Sequence, residues 1–368
     1  MNELNVMHIS RTMGQGGAER IVYQLADSLR DRCGMICVAS AGGCHVEELE
    51  AEGIRHFQID DLEQKNPLVI LRTFLSLSRI VRRYKINIIH SHHRMAAVYA
   101  QALKLLFPKL KLVYTAHNVF HDKKHLTRAA LRNTAVVAVG YGVRDNLTDF
   151  YDIAQTSVKV IHNAIHPEPS SEKYQNQTLS EWKARGTELV GVIGRLSEQK
   201  GIDVFLRVIA DLKSRGRQVR GIIIGDGEER NRLVCMSHEL GIDEEILFLG
   251  YQEHVSTLIS QLDLVVMPSR WEGFPLLVLE VFAEKKTIVG SNISGINEII
   301  TDGENGRLVT KDEPDLFADA VCELLEHPEI RDKMGKNGFE YYRKSFSYEI
   351  FAEQYFQLYQ KVLEIRQR

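Results

Sequence analysis

The sequence predicts an α/β protein of two doubly wound domains, and three observations carry that reading. Short β-rich runs alternate with helical periodicity almost from end to end, and apolar strands separated by helices imply parallel sheets covered on both faces. The alternation breaks at His166–Gln177, a stretch of Pro, Ser, Glu, Asn and Gln without apolar period, which reads as a linker. The length of 368 residues is long for one domain and comfortable for two.

In the first half the expected strands are Val6–Ser10, Met35–Ala39, Ile54–Ile59, Asn87–His90, Leu112–Thr115, Val136–Val139 and Val158–Ile161. Amphipathic patterns between them predict helices such as Ala18–Leu29, Pro67–Tyr84 and Arg94–Leu106. Beyond the linker, strands are expected at Glu188–Ile193, Val219–Ile224, Ile246–Leu249, Leu264–Met267 and Thr287–Gly290. After Pro314 the chain reads as purely helical, ending in a helix whose Tyr355, Phe356, Leu358, Tyr359 and Leu363 form one buried stripe. The expected division is therefore 1–165, a linker 166–177, and 178–346, with a last helix of about 347–368 packing back on the first domain. Two such domains are expected to face each other across a cleft at their strand ends, where doubly wound folds bind ligands.

A hydrophobic content of 44% and a charged content of 26% exclude a disordered or fibrous chain. The start lacks the basic and apolar stretches of a secretory leader, and the most apolar helical run, Leu68–Val81, carries Arg72 and Arg79. A cytoplasmic location is expected. Cys33, Cys37, Cys44, Cys235 and Cys322 contain no CxxC pair and read as reduced thiols, so no structural zinc is expected. The net charge of −3 hides an asymmetry: 21 Lys and Arg against 15 Asp and Glu in residues 1–165, and 13 against one (Asp122) between Arg72 and Arg132. With His90, His92, His93, His117, His121 and His125 in the same region, this predicts a surface that meets phosphate or anionic lipid. Aromatic residues there are sparse and no base-reading motif occurs, so nucleic acid is not an expected partner.

Three motifs carry chemistry. Gly14-Gln15-Gly16-Gly17-Ala18-Glu19-Arg20 follows the first strand and opens the first helix. Glycines there admit a close ligand and the helix start offers N–H groups to an anion, but the spacing fails the dinucleotide fingerprint, and a plain tight turn fits nearly as well. Gly194-Arg195-Leu196 ends a strand and Lys200-Gly201 opens the next helix; an Arg fork and a Lys point charge suit a diphosphate. The third is Pro268-Ser269-Arg270-Trp271-Glu272-Gly273-Phe274-Pro275-Leu276-Leu277-Val278-Leu279-Glu280. It places Glu272 in a loop after a strand, Pro275 in the first turn of a helix, the amides of about Phe274–Leu277 at that helix start, and Glu280 further along it.

Together these pieces resemble the retaining glycosyltransferases of family 4, which have the GT-B fold. The markers are GGAER, TAHN at Thr115–Asn118, GRLSEQKG at Gly194–Gly201, GDG at Gly225–Gly227, LGY at Leu249–Tyr251, EGFPLLVLE and SGINEII at Ser294–Ile300. The resemblance implies a hexosyl- or N-acetylhexosaminyl-transferase of bacterial polysaccharide assembly that uses a nucleotide-diphosphate sugar, a UDP-sugar for preference. It implies no metal, and we find no Asp-x-Asp motif that fits one. Arg195 and Lys200 would neutralise the departing diphosphate, Glu280 would hold the ribose, and Glu272 with nearby amides would hold sugar hydroxyls. Leu249, Gly250 and Tyr251 would meet the base, His117 the reacting face of the sugar, and Gly16 and Gly17 the diphosphate or acceptor. Gly194, Gly273, Phe274, Pro275, Leu276 and Leu277 complete the expected donor site. Two positions depart from the family pattern: His162-Asn163-Ala164 stands where Pro-Asn-Gly is common, and Val139-Gly140-Tyr141 lacks a frequent serine.

The acceptor implied is a saccharide or a lipid-diphosphate-linked saccharide, with peripheral attachment to the inner face of a membrane. The other readings the residues leave open are a GT-B enzyme of epimerase or phosphorylase type and a two-lobed solute-binding protein. Fold alone does not separate them.

Overall fold

The computed structural model describes residues 3–166 and 171–364. They form two compact units, one of residues 3–166 with 347–364 and the other of residues 171–346.

In the first unit the strands are β1 (Asn5–Ile9), β2 (Met35–Ser40), β3 (Arg55–Gln58), β4 (Ile88–Ser91), β5 (Lys111–Ala116), β6 (Ala135–Ala138) and β7 (Val158–Val160). They make one sheet in the order β3-β2-β1-β4-β5-β6-β7, parallel at every registered pair. Val6, Met7, His8 and Ile9 are all buried, because helices cover both faces and leave no solvent side for alternate residues. The covering helices include α1 (Gly17–Leu29), α2 (His45–Ala51), α3 (Pro67–Arg83), α4 (Arg94–Leu106), α5 (Lys124–Ala130) and α6 (Tyr141–Asp145). α3 shows why such a segment becomes a helix. The side chain of Asn66 caps it by accepting from the Leu68 N–H, Pro67 fills its first turn, and Arg82 and Arg83 sit in its last turn. It buries Thr73, Leu77, Ile80 and Val81. The chain winds from β1 to β2 and β3 on one side and to β4 on the other, so the switch point lies between β1 and β4.

The second unit repeats the logic with β8 (Glu188–Ile193), β9 (Val219–Ile224), β10 (Ile246–Gly250), β11 (Leu264–Met267), β12 (Ile288–Ser291) and β13 (Arg307–Val309), in the order β10-β9-β8-β11-β12-β13. Its helices are α7 (Gln177–Ala184), α8 (Ile202–Ser214), α9 (Arg230–Glu239), α10 (Val255–Gln261), α11 (Leu276–Ala283), α12 (Pro314–Glu326) and α13 (Pro328–Ser345). Its switch point falls between β8 and β11. Of the expected linker 166–177, residues 167–170 lie outside the described residues and His166 belongs to the first unit. Residues 171–177 are tied to the second unit: the Ser171 N–H donates to Thr257 Oγ1 at 3.1 Å and the Asn176 N–H to Gln261 Oε1 at 2.8 Å.

The last helix, α14 (Tyr348–Glu364), belongs to the first unit. Its buried face is Phe351, Ala352, Tyr355, Leu358, Tyr359 and Val362, which corrects the expected stripe at two places. Phe356 lies under the Arg32 guanidinium, 3.6 Å from ring centroid to Cζ, and Leu363 is only half-buried. A face of Phe351, Tyr355, Leu358 and Val362 follows the i, i+4, i+7, i+11 spacing of a straight helix, and position 356 falls outside it.

Candidate active site

The two expected donor-side motifs leave the carboxyl ends of β8 and β11, the strands that flank the second unit's switch point. β8 runs into Gly194-Arg195-Leu196 and β11 into the loop Pro268–Pro275. Backbone contacts clamp these loops together. The Arg270 N–H donates to the Gln199 carbonyl at 2.8 Å, and Gln199 Nε2 donates to the Trp271 carbonyl at 2.8 Å. Gly201 has φ +63°, and a Cβ there would overlap the Pro268 carbonyl oxygen; only glycine allows both the left-handed backbone and the close approach. Gly295, at φ +89°, would carry a Cβ 2.7 Å from the Gly273 carbonyl oxygen, so SGINEII closes on the EGF turn. Arg270 braces the same loop from behind, donating to both oxygens of Asp203 at 3.1 and 2.8 Å.

Within that frame Lys200 Nζ lies 2.6 Å from Glu272 Oε1, and the Glu272 side chain is 7% exposed. The sequence spacing treats Arg195 and Lys200 as two cations shared by one diphosphate. In the structure each has an acidic partner, Arg195 hydrogen-bonding Glu228 at 3.1 Å from a 72% exposed position. A buried carboxylate beside a partly exposed ammonium is a polar pair set at the edge of solvent. Gly194, at φ +145°, lies against the Lys200 stem, where a Cβ would be 3.5 Å from Cε.

Pro275 is the N-cap of α11, with φ −76° and ψ 121°, and helical backbone begins at Leu276. The expected place for Pro275 inside the first turn is corrected by one residue, since its extended ψ holds the turn open ahead of the helix. Phe274 and Leu277 are buried, the former ring 5.5 Å from that of Phe346. Leu276 and Glu280 are half-buried on α11, and Gly273 is buried in the loop. Sequence reasoning passed over Ser269, whose buried hydroxyl has no hydrogen-bond partner among the described residues. Serine after a strand is too common to stand out. Leu249 and Gly250 end β10, and Tyr251, 51% exposed, lines a cavity of about 350 Å³ with Tyr174, Gln252, Glu253, His254 and Leu258. Tyr174 stacks on His254 with ring centroids 3.6 Å apart.

In the first unit Gly16 is the N-cap of α1, and neither it nor Gly17 has positive φ. What glycine supplies at position 16 is room for the Glu19 carboxylate, which a Cβ would overlap and which accepts from Thr12 at 2.9 Å. His117 follows β5. Its Nε2 is 3.0 Å from His92 Nδ1, and its shielded Nδ1 has no partner among the described residues. His92 Nε2 in turn lies 2.9 Å from His8 Nδ1. His90 lies 2.6 Å from the Tyr359 hydroxyl and 2.8 Å from Thr115 Oγ1, which itself meets the Tyr355 hydroxyl at 3.1 Å. Burial pushes His117 down to about 4 and His8 to about 3. His90 and His92 fall well below the ordinary range, through burial first and neighbouring imidazoles second. All four are neutral at pH 7.

His8, His90 and His92 are close enough to hold an ion, with ligand nitrogens within 4.8 Å of one another. However, both nitrogens of His90 and of His92 are within hydrogen-bond distance of Tyr359, Thr115, His8 and His117. These rings bond to neighbours rather than converge on a cation.

The expected basic surface is corrected in the same way. Neutral His90 and His92, both buried, and half-buried His117 add no charge to it. Arg72 is paired with Asp60, Arg94 with Asp122, and Lys124 and Arg128 with Asp152; Asp60 and Asp152 lie outside the counted stretch in sequence but beside it in space. Of the basic residues not so paired, Arg79, Arg82 and Arg83 are exposed on α3 together with Leu68, Leu71 and Leu75, a mixed face. Leu105 (86% exposed) and Leu106 end α4. Among the described residues no helix is long and apolar enough to cross a membrane.

Comparison with known proteins bears on both units. The family described as "Glycosyltransferase Family 4" matches residues 15–169, and "Glycosyl transferases group 1" matches residues 176–341. Alpha-D-kanosaminyltransferase of Streptomyces kanamyceticus is 30% identical over 176 residues, 47% of this chain. The match spans 46% of that relative's own length. D-inositol 3-phosphate glycosyltransferase of Corynebacterium glutamicum is 28% identical over 308 residues, 76% of this chain and 73% of the relative. The crystal structure of Anabaena HepE in complex with UDP superposes with a TM-score of 0.83 at 20% identity, over 97% of this chain and 100% of the other.

Proposed function

We propose, from the premise that this chain belongs to the family-4-type glycosyltransferases of the GT-B fold, that it moves a hexosyl or N-acetylhexosaminyl group from a nucleotide-diphosphate sugar to a saccharide or lipid-linked acceptor. The observation that carries this reading is the clamped pair of loops at the ends of β8 and β11, with Lys200 held by buried Glu272. In it, residues 178–346 take the donor and residues 1–165 the acceptor. Arg195 and Lys200 stabilise the charge that grows on the leaving diphosphate, which positioned cations do without reorganising. Glu280 holds the ribose; Glu272, Gly273 and the backbone of Phe274 to Leu277 hold sugar hydroxyls. Gly194 lets the diphosphate lie close, and Leu249, Gly250 and Tyr251 meet the base. His117 contacts the sugar, and the Gly16–Gly17 turn meets the diphosphate or acceptor. UDP is the favoured nucleotide, supported by the UDP in HepE.

Transfer breaks the bond from the anomeric carbon to phosphate oxygen and forms one to an acceptor oxygen, whose proton passes to the leaving phosphate. We favour attack on the face the phosphate leaves, with retention of configuration. Proton NMR of the product's anomeric signal tests this, since inversion would replace it with an ordinary displacement. Release of nucleotide from UDP-, GDP- and ADP-sugars, with and without saccharide acceptors, tests the donor class. A protein that binds them all and turns over none is a binder, and one that converts donor without an acceptor into an isomeric nucleotide sugar is an epimerase.

The leucine and arginine face of α3 supports a membrane-apposed setting and, with it, a lipid-diphosphate-linked acceptor of cell-surface polysaccharide synthesis. Each basic residue near an anionic surface contributes about 1 kcal/mol, screened by salt. Pelleting with phosphatidylglycerol vesicles is expected in low salt and is expected to weaken for Leu71→Asp. Equal absence of binding to anionic and neutral vesicles points to a soluble acceptor.

A further inference from the structure

The Gly225-Asp226-Gly227 loop that follows β9 is locked to the loop that carries Arg195 after β8. The two strands are parallel with Ile193 opposite Ile224, so the loops leave the sheet side by side. Backbone bonds then grip both neighbours of Arg195. The Gly194 N–H donates to the Ile224 carbonyl at 2.9 Å and the Leu196 N–H to the Asp226 carbonyl at 3.0 Å. The Glu229 N–H returns the contact, donating to the Leu196 carbonyl at 3.1 Å. Only glycine permits so close an approach. Gly225 has φ +133°, and a Cβ there would lie 2.0 Å from the Gly194 carbonyl oxygen; one at Gly227 would lie 2.3 Å from that of Leu196. This interlock sets Glu228, the next residue along, beside the Arg195 side chain.

The backbone around Arg195 is thus clamped, while its side chain is 72% exposed. Its one side-chain hydrogen bond among the described residues runs from Nε to Glu228 Oε2 at 3.1 Å. The choice of nitrogen matters. A carboxylate set against the end of the guanidinium fork would cover the face that suits a phosphate. Here Nε alone is engaged, so the guanidinium is held while both terminal nitrogens stay uncommitted. The Glu228 carboxyl is kept below its ordinary range, by its own backbone N–H first and by Arg195 after it, so it is ionised at pH 7. An exposed pair of this kind adds little to stability. What it restricts is the rotamer freedom that a long cation otherwise gives up when its ligand arrives.

We propose that Glu228 is a positioning residue for transfer: through Nε it orients Arg195 and leaves the terminal fork to the diphosphate of the bound donor. The diphosphate contact rests on the reading of Arg195 given above. The glycines of the GDG motif are then the means by which the second unit brings this carboxylate to Arg195. Glu228 also sets its own negative charge near an anionic donor. Its removal is therefore expected to lower kcat without raising the donor KM, a split that a general disturbance of the loop would not produce.

Arginine side-chain ¹H–¹⁵N spectra without ligand test the contact itself. The Arg195 Nε–H signal, assigned by its loss in Arg195→Ala, is expected to move in Glu228→Ala and to stay near its wild-type place in Glu228→Gln. An unmoved signal in Glu228→Ala overturns the proposal. With the UDP-, GDP- or ADP-sugar that wild type turns over, Glu228→Ala is expected to lower kcat about tenfold, on the order of one charge-assisted hydrogen bond, at an unchanged or lower KM. Glu228→Gln keeps an oxygen to accept from Nε and should recover most of the rate. Urea unfolding should read wild-type stability for both variants. Losses equal in Glu228→Ala and Glu228→Gln, or a loss that persists in full on an Arg195→Ala background, overturn the proposal. A slow Arg195→Ala beside an unchanged or faster Glu228→Ala sinks this proposal alone. A fully active Arg195→Ala sinks the diphosphate reading of Arg195, and the proposal falls with it.

Discussion

Lowering the pH should weaken the first unit long before it touches the second. Among the described residues the fully buried histidines all lie in the first unit, His8 and His90 at 0% exposure with His92 at 7%. A group whose folded pKa is depressed binds more protons when unfolded, so its contribution is present above the unfolded value and lost as pH falls. For His117 the window runs from the ordinary 6.5 down to about 4, and for His8 down to about 3. Taking one pKa unit as about 1.4 kcal/mol, His117 alone removes roughly 2 kcal/mol between pH 7.5 and pH 5 by linkage. His8 has a similar isolated cost, though adjoining rings resist joint protonation and the two do not simply add. A loss of this size is a large part of a domain's stability, typically about 5–15 kcal/mol. The paired carboxylates of the same unit, Asp60, Asp61, Asp122 and Asp152, are held below 3.8 and do not titrate in this window. Hydrogen exchange followed by mass spectrometry reads both units at once. Peptides of β1, β4 and β5 should lose protection at pH 5 relative to pH 7.5 after correction for intrinsic rates, while peptides of β8 and β11 hold theirs. Equal behaviour of the two sets, or an unchanged first unit, refutes the argument.

Further outcomes concern the second unit, which holds both tryptophans, Trp182 and Trp271, so that indole fluorescence in urea reports it alone. Gly201→Ala combines a left-handed φ with overlap on the Pro268 carbonyl; it should lower stability by about 1–3 kcal/mol and slow transfer by displacing Lys200. Lys200→Ala strands a nearly buried Glu272 and should cost about 1–3 kcal/mol, much of it recovered in Lys200→Ala/Glu272→Gln. Arg270→Ala leaves Asp203 without its two hydrogen bonds and should likewise destabilise by about 3 kcal/mol, whereas Arg195→Ala, at an exposed pair, should change stability little while slowing transfer.

Much of the fold was legible because parallel strands buried on both faces make unbroken apolar runs. α4 spans the predicted Arg94–Leu106, and β8, β9 and β11 coincide with their predicted bounds. β13 escaped notice since its three residues, Arg307-Leu308-Val309, open on a charge and make no apolar run. Of the candidate site, the strand-loop-helix around Glu272 reads directly from a strand followed by Gly, Pro and an apolar helix. Its contacts do not, because Lys200–Glu272 and Arg270–Asp203 join positions 72 and 67 residues apart. The imidazole row was harder still. His8 sits inside an apolar strand and looks like an interruption of it; only register places it beside His90. A histidine in a window of basic residues adds apparent charge, and burial alone tells that it adds none.

The central claim, a nucleotide-sugar transferase with its donor on the second unit, meets its most direct test in calorimetric titration of UDP-glucose and other UDP-sugars against wild type, Glu280→Ala and Lys200→Ala, paired with single-turnover transfer. The account predicts binding to wild type that is weakened by Glu280→Ala, and transfer that is slowed chiefly by Lys200→Ala. Folded wild-type protein that binds no UDP-, GDP- or ADP-sugar, or binding indifferent to Glu280, would contradict it.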